Sequence, residues 1–552
     1  MADDQTRQVQ ALAEAFLQDY CAFYPINASI QGLHEYDGRI NDLRIETIHA
    51  WIDSLHSYRG RLNTIQPATL DRLAWFDYAL LCWRVDAELW NWAEYREYER
   101  NPMLYTENAT VDYYVQRNYA PLEERAQALT RHLRQIPQAM EVARQNLGDR
   151  VAPILIEESV PVFEGLITFL NESLAETFQP DTLSPPTEAA LWAARDEAAH
   201  AIDDLVIYLR DTLYPRVHNT FAIGAEQFSR MLAYNEQITI PLDQLLAAGE
   251  ADLLRNKQAL EEVAARIDAS KTVREHMAAL GRNHPPADRL LEEVRTMLED
   301  LRTFVIERDL VTVPNEVHCL VEETPPFARW AFAMMDTTGP FEEVATESFY
   351  YITLPEPDWP PEKVEGWLTK FDYAKMTGVS IHEAYPGHYI HFMHVRHAPT
   401  RLARAFETYS HFESWAHYSE EMMLDQGYGN GDLRLRMAQL SEALVRNCRY
   451  LCAIKMHTQG MSIDEATRFF IDHAYMDEVP ARKEARRGTH DPGYINYSLG
   501  KFLLRKLLND YKEAYGESFS LKQFHDAYIG HGSPPIPMLR TLMLPSDDGV
   551  LL

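Results

Sequence analysis

Residues 380–397 read SIHEAYPGHYIHFMHVRH, and the path of the backbone between His382 and His388 decides what this chain can be. The apolar residues around them recur at helical spacing. On an unbroken helix two histidines six residues apart differ by roughly 120° in direction, too far to share one small ion. Between them stand Pro386 and Gly387. Proline cannot donate to the His382 carbonyl and its ring crowds that oxygen, while glycine accepts unusual backbone angles, so a kink here absorbs the two extra residues. The expectation is a distortion that turns both imidazoles to one ion, with Glu383 beside the first as a base. The competing reading is a helix that ends at Pro386-Gly387 with core or surface histidines.

A second set of imidazoles, His388, His391, His394 and His397, runs along one helical stripe at i+3 spacing. It has no base except Glu383 and no anionic ligand, so His391, His394 and His397 are expected in the core, in solvent or behind the ligands. The segment Arg401 to Leu424 reads as a second helix that can supply an anionic ligand. Glu413, in FESWAHYSEEMM, has tryptophan and tyrosine neighbours and is preferred to Glu407, Glu420 and Glu421. His417 and Glu420, at i+4 and i+7 from Glu413, share its face and are expected to orient the ligands by hydrogen bonding.

Outward from this centre the chain to about residue 310 is patterned as helix. Examples are Thr187 to Leu213 and Leu242 to Ala269, with breaks at Ser184-Pro185-Pro186, His284-Pro285-Pro286 and Pro355 to Pro361. Two segments just upstream of the histidines read as strands, Glu316 to Val321 and Ser348 to Leu354, rich in β-branched or aromatic residues and closed by proline. Trp83, Trp90 and Trp92 are expected as core. With 83 acidic against 52 basic residues the formal charge is -31, which argues against nucleic acid or an anionic membrane as partner. Five cysteines without CxxC spacing predict neither a disulfide framework nor a thiolate zinc site. Together with the acidic opening MADDQTRQVQ and the lack of a membrane-length apolar run, they predict a cytoplasmic protein.

HEAYPGH, then ESWAHYSE, then DPGYINYSLGKFLL resembles the bacterial zincin-like family catalogued as domain of unknown function 885, whose patterns are approximately HExxPGH, EGWALYxE and PGxxxxYxxG. The likeness runs over at least residues 220–530. It implies a gluzincin-type site with one zinc ion held by His382, His388 and Glu413. Ser414 and His417 depart from the family's usual Gly and Leu, which bears on the ligands' surroundings. Tyr494-Ile495-Asn496-Tyr497 also resembles the Tyr-x-x-Tyr element of angiotensin-converting-enzyme and thermostable-carboxypeptidase zincins. That likeness implies an oxyanion donor, Tyr497 before Tyr494. His490, Arg486 and Arg487 stand close enough in sequence to touch a substrate carboxylate or the oxyanion.

The expected fold is mainly α, a two-lobed helical zincin with a small β-sheet beside the active-site cleft. A helical lobe over 1–220 precedes a catalytic region over 221–552 whose sheet lies at about 311–355. Phe349, Tyr350 and Tyr351 are expected on an edge strand that holds an extended peptide. The expected activity is peptide-bond hydrolysis by metal-activated water. A hydrolase of non-peptide amides and a catalytically silent metal-binding protein are the alternatives.

Overall fold

The proline pairs that interrupt the helical pattern begin helices. The computed structural model describes residues 2–314, 318–325, 329 and 332–552. Within it Pro185 opens a helix over Pro185–Ile207 that continues as a π-helical segment to Leu213, because a proline in the first turn lacks only an N–H that would be unpaired anyway. The chain divides into two units, Met1–Ile223 with Thr338–Thr346, and Gly224–Thr337 with Glu347–Leu552. No helix among the described residues is long and apolar enough to cross a membrane.

The principal helices of the first unit are α1 (Ala2–Phe23), α2 (Ile45–Leu62), α3 (Arg72–Leu89), α4 (Pro153–Thr168) and α5 (Pro185–Ile207). On α1, Val9, Leu12 and Phe16 are fully buried, the three-to-four-residue spacing that lays an apolar stripe against α3. Trp83, Trp90 and Trp92 are buried. The Glu88 carboxylate, 1% exposed, takes the Tyr24 hydroxyl at 2.6 Å and the indole N–H groups of Trp51 and Trp92 at 3.2 and 3.0 Å on Oε2. Arg84 lies 2.6 Å from its Oε1. Segment 338–346 belongs to this unit. Glu342, buried, accepts from the backbone of Val344 and Ala345 and lies 2.8 Å from His34 Nε2.

The second unit opens with α6 (Gly224–Glu236), α7 (Leu242–Asp268) and α8 (Leu290–Glu307). The strands β1 (Leu320–Glu323), β2 (Ala333–Asp336) and β3 (Phe349–Ile352) form a mixed sheet in the order β1-β3-β2, with β1 parallel and β2 antiparallel to β3. Val321 and Met335 both stand opposite Tyr350. The expected edge strand is therefore corrected: Phe349, Tyr350 and Tyr351 lie on the central strand, whose main-chain groups are taken by neighbours on both sides. The first strand lies later than expected, and Glu316 and Val317 of the expected segment fall outside the described residues.

After the sheet come α9 (Tyr373–Glu383), α10 (His388–Val395), α11 (Tyr409–Asp425), α12 (Leu433–Thr458), α13 (Glu478–His490), α14 (Asn496–Tyr515) and α15 (Leu521–Ile529). The buried α12 packs against α7, α9 and α14, and α14 lies along α11. Gly500 permits that approach, since a methyl group there would overlap the Ser410 carbonyl oxygen. The single helix expected over Arg401 to Leu424 is broken: a short helix ends at Ala405 and α11 begins at Tyr409. Between them Glu407 bridges to Ser533, and Thr408 N–H donates to the Ser533 carbonyl.

Candidate metal centre

Four residues separate the two helices that carry the histidines. Helix α9 stops at Glu383, where Ala384 N–H and Tyr385 N–H both donate to the Ser380 carbonyl, and Gly387 N–H turns back to the Ile381 carbonyl at 3.0 Å. The Tyr385–Pro386 peptide is cis. A side chain on Gly387 would overlap the His382 carbonyl oxygen, so the return of the chain over its own helix end requires glycine. Trp415 Nε1 on α11 donates to the Pro386 carbonyl at 2.8 Å, tying this corner to the helix that carries Glu413. Helix α10 then starts at His388 with a new phase.

The result is a buried group of His382, His388 and Glu413 whose ligand atoms all lie within 4.8 Å of one another. Glu413 Oε2 faces His382 Nε2 at 3.5 Å and His388 Nε2 at 3.7 Å, and the two rings are nearly perpendicular. Buried Oε2 has no hydrogen-bond partner. Bonds of about 2.0–2.2 Å to nitrogen and oxygen set tetrahedral zinc ligands about 3.3–3.5 Å apart. The two carboxylate–imidazole spacings lie close to that range, and this group could hold a metal ion.

Charge within the group is uneven. Burial opposes a charged His382, but Glu413 and Glu420 outweigh it and push its pKa up to about 9. His388 is dominated by burial and falls to about 4. Burial also pushes the Glu413 carboxyl up, yet the facing imidazoles hold it at about 2. Glu383, half-buried at the end of α9, is raised by burial and by the Glu413 charge, while His382 pulls the other way.

Around the three ligands lies a ring of partners. Glu420 Oε1 sits 2.7 Å from His382 Nδ1, and because a carboxylate only accepts, Nδ1 carries the proton and Nε2 is the nitrogen left for a metal. His417 Nδ1 lies 3.5 Å from Glu420 Oε2. Arg446 on α12 pairs with Glu420 Oε1 at 2.8 Å. Burial and the nearby Glu413 charge raise the pKa of Tyr497, the second residue of α14, whose ring meets that of Tyr409 edge-on with centres 5.5 Å apart. Tyr409 in turn accepts from Arg487 at 2.9 Å, whose guanidinium is held by Asp491. Glu236, at the end of α6, receives Ser410 N–H, Ser410 Oγ–H and Asn496 Nδ2–H, fixing the starts of α11 and α14 together. Burial pushes its carboxyl up to about 7.

Other residues singled out in the sequence lie elsewhere. Tyr494 is corrected as an oxyanion candidate: it is fully buried, and its hydroxyl ends 4.0 Å from the Met456 sulfur against Gly488. His490, partly buried, is the last residue of α13. His391 packs on His411 and faces Gly532 and Ser533, His394 donates to the Thr312 carbonyl, and His397 is exposed. Glu407 is exposed, and Glu421 pairs with Lys501 and Arg505. Tyr350 points toward α9, with Ser380 Oγ at 3.4 Å, while Phe349 and Tyr351 stack on the other face of the sheet.

Sequence reasoning missed Arg446, Tyr409 and Glu236. A signal existed for Arg446, which sits within ALVRNCRYLCAI, where a charge in an apolar helix must find a buried partner.

A model of the family described as bacterial protein of unknown function (DUF885) matches residues 25–543. The chain belongs to this family. Two solved structures share the family member's fold. One is described as a "putative lipoprotein of unknown function" from Shewanella oneidensis, with a TM-score of 0.82 and 22% identity, covering 97% of this chain and 99% of that one. The other, described as a "putative lipoprotein" from Colwellia psychrerythraea, has a TM-score of 0.81 and 15% identity, covering 97% and 98%. No curated protein matches.

Proposed function

We propose that this chain is a zinc-dependent peptidase in which His382, His388 and Glu413 hold the ion. The observation that carries the reading is the unpartnered, buried Glu413 Oε2 facing two imidazole nitrogens, one of them freed for coordination by the bond from His382 Nδ1–H to Glu420. Zinc is favoured by two nitrogen donors and one carboxylate in a small buried group, and when bound it supplies Lewis acidity and acidifies a water.

The chain's own groups do the rest. Glu383 adjoins a ligand without belonging to the ligand group, and its raised pKa suits a carboxylate that takes a proton from water and passes it to a leaving amine. Tyr497, near enough to Glu413 to feel its charge, is the hydroxyl at hand for a developing oxyanion. Arg487, about one-third exposed beside Tyr409, is the cation proposed to meet a substrate carboxylate. The expected substrate is a peptide or small amide. The descriptions of the two similar structures as lipoproteins support a place at the cell envelope over the cytoplasm expected from sequence, and fractionation of cells expressing the full chain tests this.

The decisive experiment is elemental analysis of protein purified without added metal, followed by a mixture-based peptide-cleavage screen on the native chain and on Glu383→Gln. The variant should keep its zinc and lose about 10²–10⁴ in rate, the usual contribution of a general base. Full activity with zinc retained would reduce the His-Glu pair to a structural feature.

A further inference from the structure

Arg446 lies on α12, a helix that carries none of the three ligands, yet its Nη2 is 2.8 Å from Glu420 Oε1 and 3.2 Å from His382 Nδ1. A guanidinium so near a cation site opposes binding by simple Coulomb repulsion, so its presence asks for a compensating role. The geometry around Glu420 supplies one.

That carboxylate is 3% exposed and has two imidazoles within reach: His382 at Oε1, 2.7 Å away, and His417 at Oε2, 3.5 Å away. Turning the carboxylate plane about its own bond would carry Oε1 off His382 and Oε2 away from His417. Arg446 spans both oxygens, with Nη2 on Oε1 and Nη1 3.4 Å from Oε2. A planar fork against a planar carboxylate fixes the plane as well as the position. The guanidinium is itself held, with Glu442 3.8 Å from Nη1 and the Tyr497 ring centre 5.9 Å away.

We propose that Arg446 is a positioning residue of the metal centre: it locks the plane of Glu420, so that His382 keeps its Nδ1–H bond and presents Nε2 to the ion. This rests on the metal reading above. Lysine would preserve the charge but not the fork, because an ammonium is a point donor that leaves the carboxylate free to turn.

The test measures zinc affinity of the full chain by competition with a chromophoric chelator, and the absorption of the cobalt(II)-substituted protein, which reports ligand geometry. Arg446→Gln should bind zinc about 10–100-fold more weakly, the range for loss of a group that orients a ligand, with an altered cobalt spectrum. Glu420→Gln should show a similar loss. The double variant should be no worse than the weaker single one, since both act through the same bond. Arg446→Lys should remain impaired, and it carries the test if circular dichroism shows Arg446→Gln unfolded. Native zinc affinity in Arg446→Gln, full recovery in Arg446→Lys, or multiplicative losses in the double variant would overturn the proposal. Failure of the unsubstituted chain to bind zinc would instead remove the metal reading itself.

Discussion

Two buried glutamates, one in each unit, show how a structural carboxylate differs from a site. Glu88 and Glu413 are both on helices, both buried and both ringed by aromatic side chains. Glu88 has each oxygen engaged, one by three neutral donors and the other by Arg84. Glu413 has an oxygen aimed at two imidazoles, at distances too long for good hydrogen bonds, and nothing else on it. Burying a charge is costly unless it is paired, so the first arrangement is complete as folded. On the metal reading proposed above, a cation would complete the second. What separates the two is the charged partner of the second oxygen: a guanidinium at 2.6 Å for Glu88, and two imidazoles at 3.5 and 3.7 Å for Glu413.

Removing each carboxylate in turn should give opposite results. Glu413→Ala should lose tightly bound zinc altogether in elemental analysis while its metal-free form still folds. Retained stoichiometric zinc would assign the ion to other ligands. Glu88→Ala should leave zinc content untouched and cost about 3–5 kcal/mol in urea unfolding, the usual result of stranding one member of a buried ion pair. A loss below about 1 kcal/mol would mean that its four partners find others.

A smaller effect is expected at the pair of half-buried His34 and buried Glu342. Burial lowers the His34 pKa, but Asp37 and Glu342 outweigh it and raise it above 6.5, while His34 and two backbone N–H groups hold Glu342 below 4.5 despite its burial. The Glu342 contribution is present above 4.5 and lost as pH falls through its lowered value. The His34 contribution is complete below 6.5 and lost as pH rises through its raised value. Stability from the pair is therefore greatest between about 4.5 and 6.5. His34→Gln should flatten the upper limb of the stability-pH curve by less than about 1 kcal/mol, as partly exposed pairs do. An unchanged upper limb would show that the pair contributes nothing there.

Much of the centre was legible because its signals are local. Pro386-Gly387 implies a broken helix from backbone chemistry alone, and the structure has two helices with a glycine-dependent return between them. The gap at residues 406–408 was not legible, since it is held by Ser533, more than a hundred residues away. Nor was the central position of Phe349–Ile352, because alternation and β-branching identify a strand without naming its neighbours. The two tyrosines of Tyr494-Ile495-Asn496-Tyr497 look equivalent in sequence. A 3₁₀ turn over Pro492–Ile495 precedes α14 and sends Tyr494 toward Met456, while Tyr497 rides the new helix to Glu413.

The segment 338–346 has a practical consequence for dissecting the chain. Its flanks lead from β2 and into β3 in the second unit, while the segment belongs to the first, so the polypeptide changes unit three times. A recombinant fragment beginning at Gly224 would keep His382, His388 and Glu413 but carry Glu342 without His34, and with it a loop whose packing partners had been left behind. Isolating the unit that carries His382, His388 and Glu413 therefore requires that excursion to be replaced by a short turn between Asp336 and Phe349. A cut at one peptide bond cannot separate the two halves cleanly.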